Sequence, residues 1–431
     1  MKKKTTIRIR DLMRFLVFMV LGGLIILSCA QDSIFFNLSQ EPEPIEPRIP
    51  GSPTNMAVVV YNDDPSSLLD PLDPLNTDTH KKLYVGTTMS KRIFIFSGSG
   101  WGSMGTPGGG SLGELASDGR SLYALVFPGG DPLKSSEIYK YTEDPDPAWT
   151  QIGRAAAGGS SIQTLYAVVD GDVFAGGQFR SSSTVSYAIY TIDAADELVE
   201  IKAPAPNSLL RGAAKLGAST YLATNGNGIF EFTAGAISAD PMPGTEGKVT
   251  RGIIEVGAYI VAVSSDGSGT GSIIISEGSP ITSFGSQPSG VTFTGAMGIW
   301  KMYNPDELDP TDPLYVQDPA PWKDTLLLLG IRGEGSSVTN GFREMVLANG
   351  VPTFGVKQPG DRYGTPTSTP SDSKFNATIG KHPVQAILQL PDGLQDYSTI
   401  DADPSWEPLI FAATSRDGLW SYRRGQWNAE E

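Results

Sequence analysis

"KKLYVGTTMSKRIFIFSGSGW", residues 81 to 101, decides the fold. An apolar run, a turn of small and polar residues, and the alternation Ile93, Phe94, Ile95, Phe96 describe two short antiparallel strands. Period-two geometry places Ile93 and Ile95 on one face and Phe94 and Phe96 on the other, so both faces of the sheet are apolar.

The same phrase recurs in "STYLATNGNGIFEFTAG" (219 to 235) and "PLIFAATSRDGLWSYRRGQW" (408 to 427). Looser copies are "RSLYALVF" with "EIYKYTED", "DVFAGGQF" with "YAIYTIDA", "YIVAVSSDG" with "SIIISEG", and "TLLLLGI" with "REMVLANG". Another apolar run precedes each pair, as in "NMAVVVY", "RGAAKLGA" and "RGIIEVGA", and a short strand follows, opened by Trp101, Trp149 or Trp427 in three cases. Each unit therefore has four strands.

A lone four-stranded unit leaves both apolar faces wet, whereas radial packing covers each face with a neighbouring unit. The expected fold is all-β, a β-propeller counted at seven four-stranded blades, with six or eight also compatible. Second strands begin near Leu83, Leu122, Val173, Tyr221, Ile260, Leu326 and Leu409, close to the roughly 40 to 50 residue period of a blade, with two longer insertions. Ala223, Thr224, Ala412 and Ala413 supply small residues for a crowded ring. Two stacked β-sandwiches are the alternative, and they leave the recurrence unexplained. "ATNGNGIFEF" and "ATSRDGLWSY" resemble the propeller repeats of periplasmic two-component sensor proteins, and "VGTTMSKRIFIF" matches them moderately; that resemblance implies a propeller and names no ligand.

The organisation ahead of the ring is read as residues 1–28 a signal peptide, 29–54 a lipidated cysteine and tether, and 55–429 the propeller. Lys2, Lys3, Lys4, Arg8, Arg10 and Arg14 precede the apolar run from Phe15 to Leu27, which is shorter than the roughly 20 residues a membrane-spanning helix needs. "ILSC" (26 to 29) resembles a bacterial lipobox, of the relaxed sort found in spirochaetes, and ends on Cys29, the only cysteine in 431 residues. The resemblance implies lipidation of Cys29. "SQEPEPIEPRIPGSPT" (39 to 54) then reads as an extended, proline-rich spacer that holds the folded part off a membrane.

With a single cysteine and only His80 and His382, disulfides, His-based metal sites and nucleophile–His–acid triads are poorly supplied. The net charge of -15 repels nucleic acid, and removal of the basic leader makes the chain more acidic still. "SSDGSGTG" (264 to 271) is a degenerate form of the sialidase Asp-box, a hairpin stabiliser rather than a catalytic element. "GWGSMGTPGGGSLG" (100 to 113) lacks the Lys and helix of a phosphate loop and reads as a connection between blades.

Three acidic insertions, "YNDDPSSLLDPLDPL" (61 to 75), "YNPDELDPTDPL" (303 to 314) and "PDGLQDYSTIDADPSWEP" (391 to 408), fall between first and second strands of neighbouring blades. They place Asp70, Asp73, Asp309, Asp312, Asp401 and Asp403 in one sector that suits a basic protein patch or Ca²⁺; the plainer reading is Asp-Pro turns in solvated loops. Arg362 and Tyr363, on the long connection at 355 to 383, are contact candidates on the opposite face. The expected function is a non-catalytic protein-binding or assembly scaffold, without metal or other cofactor. It would be lipid-anchored through Cys29 to the cell membrane or outer membrane, its ring periplasmic or surface-exposed. The alternative is a glycan-binding or glycan-processing propeller. Another is a subunit of an outer-membrane assembly machine that binds its partner by edge-strand addition.

Overall fold

The computed structural model describes residues 49, 53–62, 70–73, 76, 79–87, 91–97, 100–143, 147–154, 161–181, 184–265, 271–303, 322–332, 341–348, 351–356, 383–389, 410–415, 418–423 and 426–430. Its strands form seven sheets. Blade 1 is β1 (Pro53–Asn62), β2 (Thr79–Thr87), β3 (Arg92–Phe96) and β4 (Trp101–Gly105). Blade 2 is β5 (Ser111–Ser117), β6 (Ser121–Phe127), β7 (Glu137–Thr142) and β8 (Ala148–Gln151). The short β9 (Gly153–Arg154) follows, and then blade 3, comprising β10 (Ser161–Ala167), β11 (Val173–Arg180), β12 (Val185–Ile192) and β13 (Glu197–Ala205).

Blade 4 is β14 (Leu210–Leu216), β15 (Ser219–Thr224), β16 (Gly228–Thr233) and β17 (Ala236–Ile237). Blade 5 is β18 (Val249–Val256), β19 (Tyr259–Ser265), β20 (Gly271–Glu277) and β21 (Ser283–Pro288). Blade 6 is β22 (Thr292–Tyr303), β23 (Trp322–Arg332), β24 (Gly341–Ala348) and β25 (Val351–Pro352). Blade 7 is β26 (Val384–Gln389), β27 (Ile410–Thr414), β28 (Leu419–Arg423) and β29 (Gln426–Ala429). All seven are antiparallel four-stranded meanders; β9 adds in parallel to the outer edge of blade 3, along β13. The protein is an all-β, seven-bladed β-propeller.

The two faces of "RIFIF" explain the architecture. Ile93 and Ile95 pack with Leu112, Leu115, Leu122 and Val126 of blade 2. Phe94 and Phe96 pack with Phe411, Ala413 and Leu419 of blade 7. Five further apolar clusters fill the remaining blade-to-blade seams in the same way, so the buried surface is divided among seven seams instead of gathered between two layers. That division excludes the sandwich alternative. Ala223, Thr224, Ala412 and Ala413 are fully buried, as a crowded ring requires.

The first strand of every blade is innermost and lies against the first strands of both neighbours. Blades 1 and 7 each use four consecutive strands of their own, so among the described residues no strand is shared across the closure. Side chains close the ring instead. The ring of Phe411 meets those of Phe96 and Trp101, each at a centroid distance of 5.9 Å. The indole Nε1–H of Trp101 donates to Glu430 Oε2 at 2.9 Å. Ile49, wholly buried, joins the same seam, so the ring recruits the chain a few residues ahead of the expected start at Asn55.

Polar contacts stitch other seams. Glu143, buried at the end of β7, accepts from the Tyr84 hydroxyl and pairs with Lys82 at 2.8 Å, tying blade 2 to blade 1. Burial, first, and then the hydrogen bond to Glu143 push the Tyr84 phenol up, so it remains a neutral donor. Glu143→Ala strands both partners. The expected loss is about 1–3 kcal/mol, read from urea unfolding curves.

Candidate functional site

Of the residues the sequence singles out, Asp70 and Asp73 are described; Cys29, Asp309, Asp312, Arg362, Tyr363, Asp401 and Asp403 lie outside the described residues. Asp70 is engaged within the ring. Its carboxylate accepts from Arg120 Nε at 2.9 Å and Nη2 at 2.5 Å, and Arg120 Nη1 also reaches Asp170 Oδ1 at 2.9 Å. One guanidinium thus ties together the first-to-second-strand connections of blades 1, 2 and 3. Hydrogen bonding from Arg120 holds the Asp70 carboxyl below the usual carboxylate range. Oδ1 also accepts the Leu72 N–H at 3.0 Å, and the Asp73 N–H donates to the Asp70 carbonyl, which is the turn chemistry an Asp-Pro loop offers. Among the described residues no group of three or more His, Cys, Asp or Glu side chains is placed to hold a metal ion.

A different set of residues converges on the opposite face, where the innermost strands begin. Each of the seven first strands breaks register with its second strand close to its start. The residues left over are Thr54, Gly113, Gln163, Arg211, Arg251, the trio Thr294 to Ala296, and Gln385. A bulge releases a residue from the ladder, bends the strand and re-aims its side chain. Repeated around a ring of inner strands, it sets an irregular position at the same end of every blade, and at Gln163 and Thr294 the side chain reaches across a seam.

Hydrogen bonds between consecutive inner strands hold this rim. Glu114 Oε2 accepts the Leu165 N–H at 2.5 Å, Thr164 Oγ1 donates to the Leu210 carbonyl at 3.1 Å, and Thr294 Oγ1 donates to the Val384 carbonyl at 2.6 Å. Blades 5 and 6 meet backbone to backbone at Gly252 and Gly295.

The rim is electropositive within an acidic chain. Arg211 on β14, Arg251 on β18 and Arg332 at the end of β23 sit near enough to repel one another: burial and then the charges of Arg211 and Arg332 hold the Arg251 pKa down. Among the described residues none of the three makes an ion pair. Arg251 Nε donates to Ser265 Oγ at 3.0 Å, whereas Arg211 Nε is buried with no acceptor among the described residues. A buried donor left unpaired costs about 1–3 kcal/mol, so its retention needs an explanation.

Glu114, on blade 2, lies within reach of the Arg211 charge. Burial pushes its carboxyl up to about 7, against the opposing pull of the Leu165 N–H and the charge of Arg211. It borders a cavity of about 350 Å³ whose wall includes Leu112, Phe127, Pro132 and Gln163. Gln163 Nε2 donates to the Pro132 carbonyl at 2.6 Å, and the Ile162 N–H donates to Ser136 Oγ at 2.6 Å, so the β6–β7 loop is pinned beside the rim.

A raised carboxyl pKa makes a signed prediction. Between its usual 4.5 and about 7 the folded chain keeps a proton that the unfolded chain releases, so this contribution to stability is whole below 4.5 and is lost as pH rises to 7. Its size is at most about 3–4 kcal/mol. Glu114→Gln keeps the acceptor for Leu165 and should flatten the fall in stability between pH 5 and 8; an unchanged slope in denaturant titrations would assign the dependence to other groups.

The sequence reading missed Glu114, Gln163, Arg211 and Arg251, although a signal was present. In "SIQTL", "LRGAA" and "TRGII" a long polar residue interrupts the start of an apolar first strand at the same place.

No family model and no curated protein matches the chain. Among solved structures it is similar to the WD40 β-propeller domain of Doa1, with 13% identity over 86% of this chain and 92% of that one, at a TM-score of 0.44. It is also similar to YCF48 bound to D1 peptide, with 12% identity over 89% and 97% and a TM-score of 0.43. A luciferin-regenerating enzyme is similar over 64% of this chain and 90% of its own, with 14% identity and a TM-score of 0.37. At these identities the likeness is one of fold.

Proposed function

We propose that the chain is a lipid-anchored, non-catalytic binding propeller that takes hold of a segment of a partner protein at the bulged mouth of its central channel. The observation that carries this reading is the rim itself. Gln163, Arg211 and Arg251 of blades 3, 4 and 5 sit there on successive bulges, and a buried guanidinium donor has no acceptor among the described residues. Asp70, by contrast, is committed to Arg120, so the acidic face starts with one of its charges already neutralised.

The anchor is inferred from the leader, the lipobox-like "ILSC" and the proline-rich segment after it, which together put the ring on a tether at a bacterial envelope membrane. A single acyl chain binds a bilayer only marginally, so stable attachment calls for several chains on Cys29 or a second contact. Cys29→Ser should move the protein from the membrane to the soluble fraction, and mass spectrometry of the wild-type N-terminus should find an acylated cysteine. Unchanged membrane association with an unmodified Cys29 would sink the anchor.

Glycan processing finds less support at the rim. Glycosidic acid–base chemistry takes two carboxyl groups flanking the bond, whereas the carboxyl recorded beside Arg211 among the described residues is Glu114. Hydrolysis of a glycoside panel, abolished by Glu114→Gln, would overturn the non-catalytic reading.

A further inference from the structure

Resting on the binding role above, we propose that the rim is a carboxylate site, in which Arg211 and Arg251 grip an acidic side chain or chain terminus of a partner polypeptide while Glu114 acts as the internal competitor for Arg211. Three independent features of the rim lead to this chemistry. Arg211 Nε is buried with no acceptor among the described residues, and a guanidinium presents donors in a planar fork matched to the two oxygens of a carboxylate. Arg251 and Arg332 add positive charge from the next two blades, and none of the three is ion-paired among the described residues, in a chain whose net charge is -15. The bulges at 211 and 251 place both arginines outside the strand ladders, so their side chains are released from sheet pairing while their backbones remain fixed by it.

Glu114 gives the site its regulation. The groups acting on it are Arg211 from β14, the Leu165 N–H and the Tyr166 phenol from β10. Among the described residues it makes no ion pair with Arg211, so the two groups are not committed to each other. When Glu114 is neutral it leaves Arg211 to the ligand; when it is ionised it competes for that guanidinium. A ligand carboxylate stays ionised throughout this range, so its binding should strengthen as Glu114 takes up its proton.

The test uses the full chain in detergent and a small dicarboxylate, glutarate, titrated calorimetrically at pH 6 and pH 8 at fixed ionic strength, with chloride and inorganic phosphate as comparison anions. Saturable glutarate binding is expected, tighter at pH 6, and Arg211→Met should weaken it by about tenfold or more, as befits one charge-assisted hydrogen-bonding partner. Arg251→Met, at an exposed position, keeps the test decisive if Arg211→Met folds poorly and should weaken binding in the same direction. Glu114→Gln should bind at pH 8 as tightly as the wild type does at pH 6.

Heat no greater than that of chloride, binding unmoved by both arginine variants, or a preference for phosphate over glutarate would overturn the carboxylate assignment. Capture of a partner in native membranes is a separate readout. If it persists while glutarate fails, the binding role stands and this inference alone falls.

Discussion

Gly252→Val is expected to open the seam between blades 5 and 6 and to cost more than about 3 kcal/mol. A Cβ at Gly252 would stand 2.1 Å from the Gly295 carbonyl oxygen and 3.1 Å from its Cα, and a Cβ at Gly295 would stand 2.3 Å from the Arg251 carbonyl oxygen. Both obstacles are backbone, so neither can swing aside. Gly295 also has φ of 102°, a region that side-chain-bearing residues rarely adopt. The two inner strands therefore approach as only glycine permits. Because Arg251 precedes Gly252, the same substitution should displace a rim guanidinium. Gly105→Ala, with nothing within 4 Å of its new Cβ, should change stability by less than about 0.5 kcal/mol. Guanidinium chloride unfolding of the pair measures the contrast; equal midpoints would mean that blades 5 and 6 do not meet at these glycines.

Phe411→Ala should cost about 3–5 kcal/mol, the range for deleting a fully buried aromatic ring. Its position makes the consequence directional. Phe411 is the blade 7 member of the aromatic trio with Phe96 and Trp101, and among the described residues no shared strand backs up that closure. Amide exchange should rise in β1 and β27 to β29 while β11 and β15 stay protected, because each blade touches only its neighbours. Uniform loss of protection would show that the ring opens as one body.

The blades could be read from the chain because alternation is a local property. Ile93 and Ile95 against Phe94 and Phe96 already separate the two faces, and the ring requires only that each face find a neighbour. Trp101 and Trp149 open fourth strands for a reason visible in place: each ring packs on an aromatic of the preceding strand, Phe96 or Tyr141. What closes the ring was not legible, since Trp101 and Glu430 lie at opposite ends of it and nothing in either neighbourhood names the other.

The rim was only partly legible. "RGAAKLGA" and "RGIIEVGA" open on the arginines that matter, but a bulge is a relation between two strands, and a residue's aim changes with a one-residue shift of register. Asp70 failed to look like an internal ligand for a related reason. Its partner Arg120 sits 50 residues away, in a hairpin of the next blade, and the acidic loops taken alone suggest only an outward-facing surface.

The central claim is that the bulged mouth is where the propeller binds another protein. A photo-crosslinking residue at Gln163, on that mouth, and another at Thr150, exposed on the outer strand β8, can be compared in the anchored protein in native membranes. The account predicts a discrete adduct with a second polypeptide from position 163 and none from position 150, with the 163 adduct weakened by Arg211→Met. Adducts from 150 alone, or none from 163 in a folded and anchored protein, would contradict it.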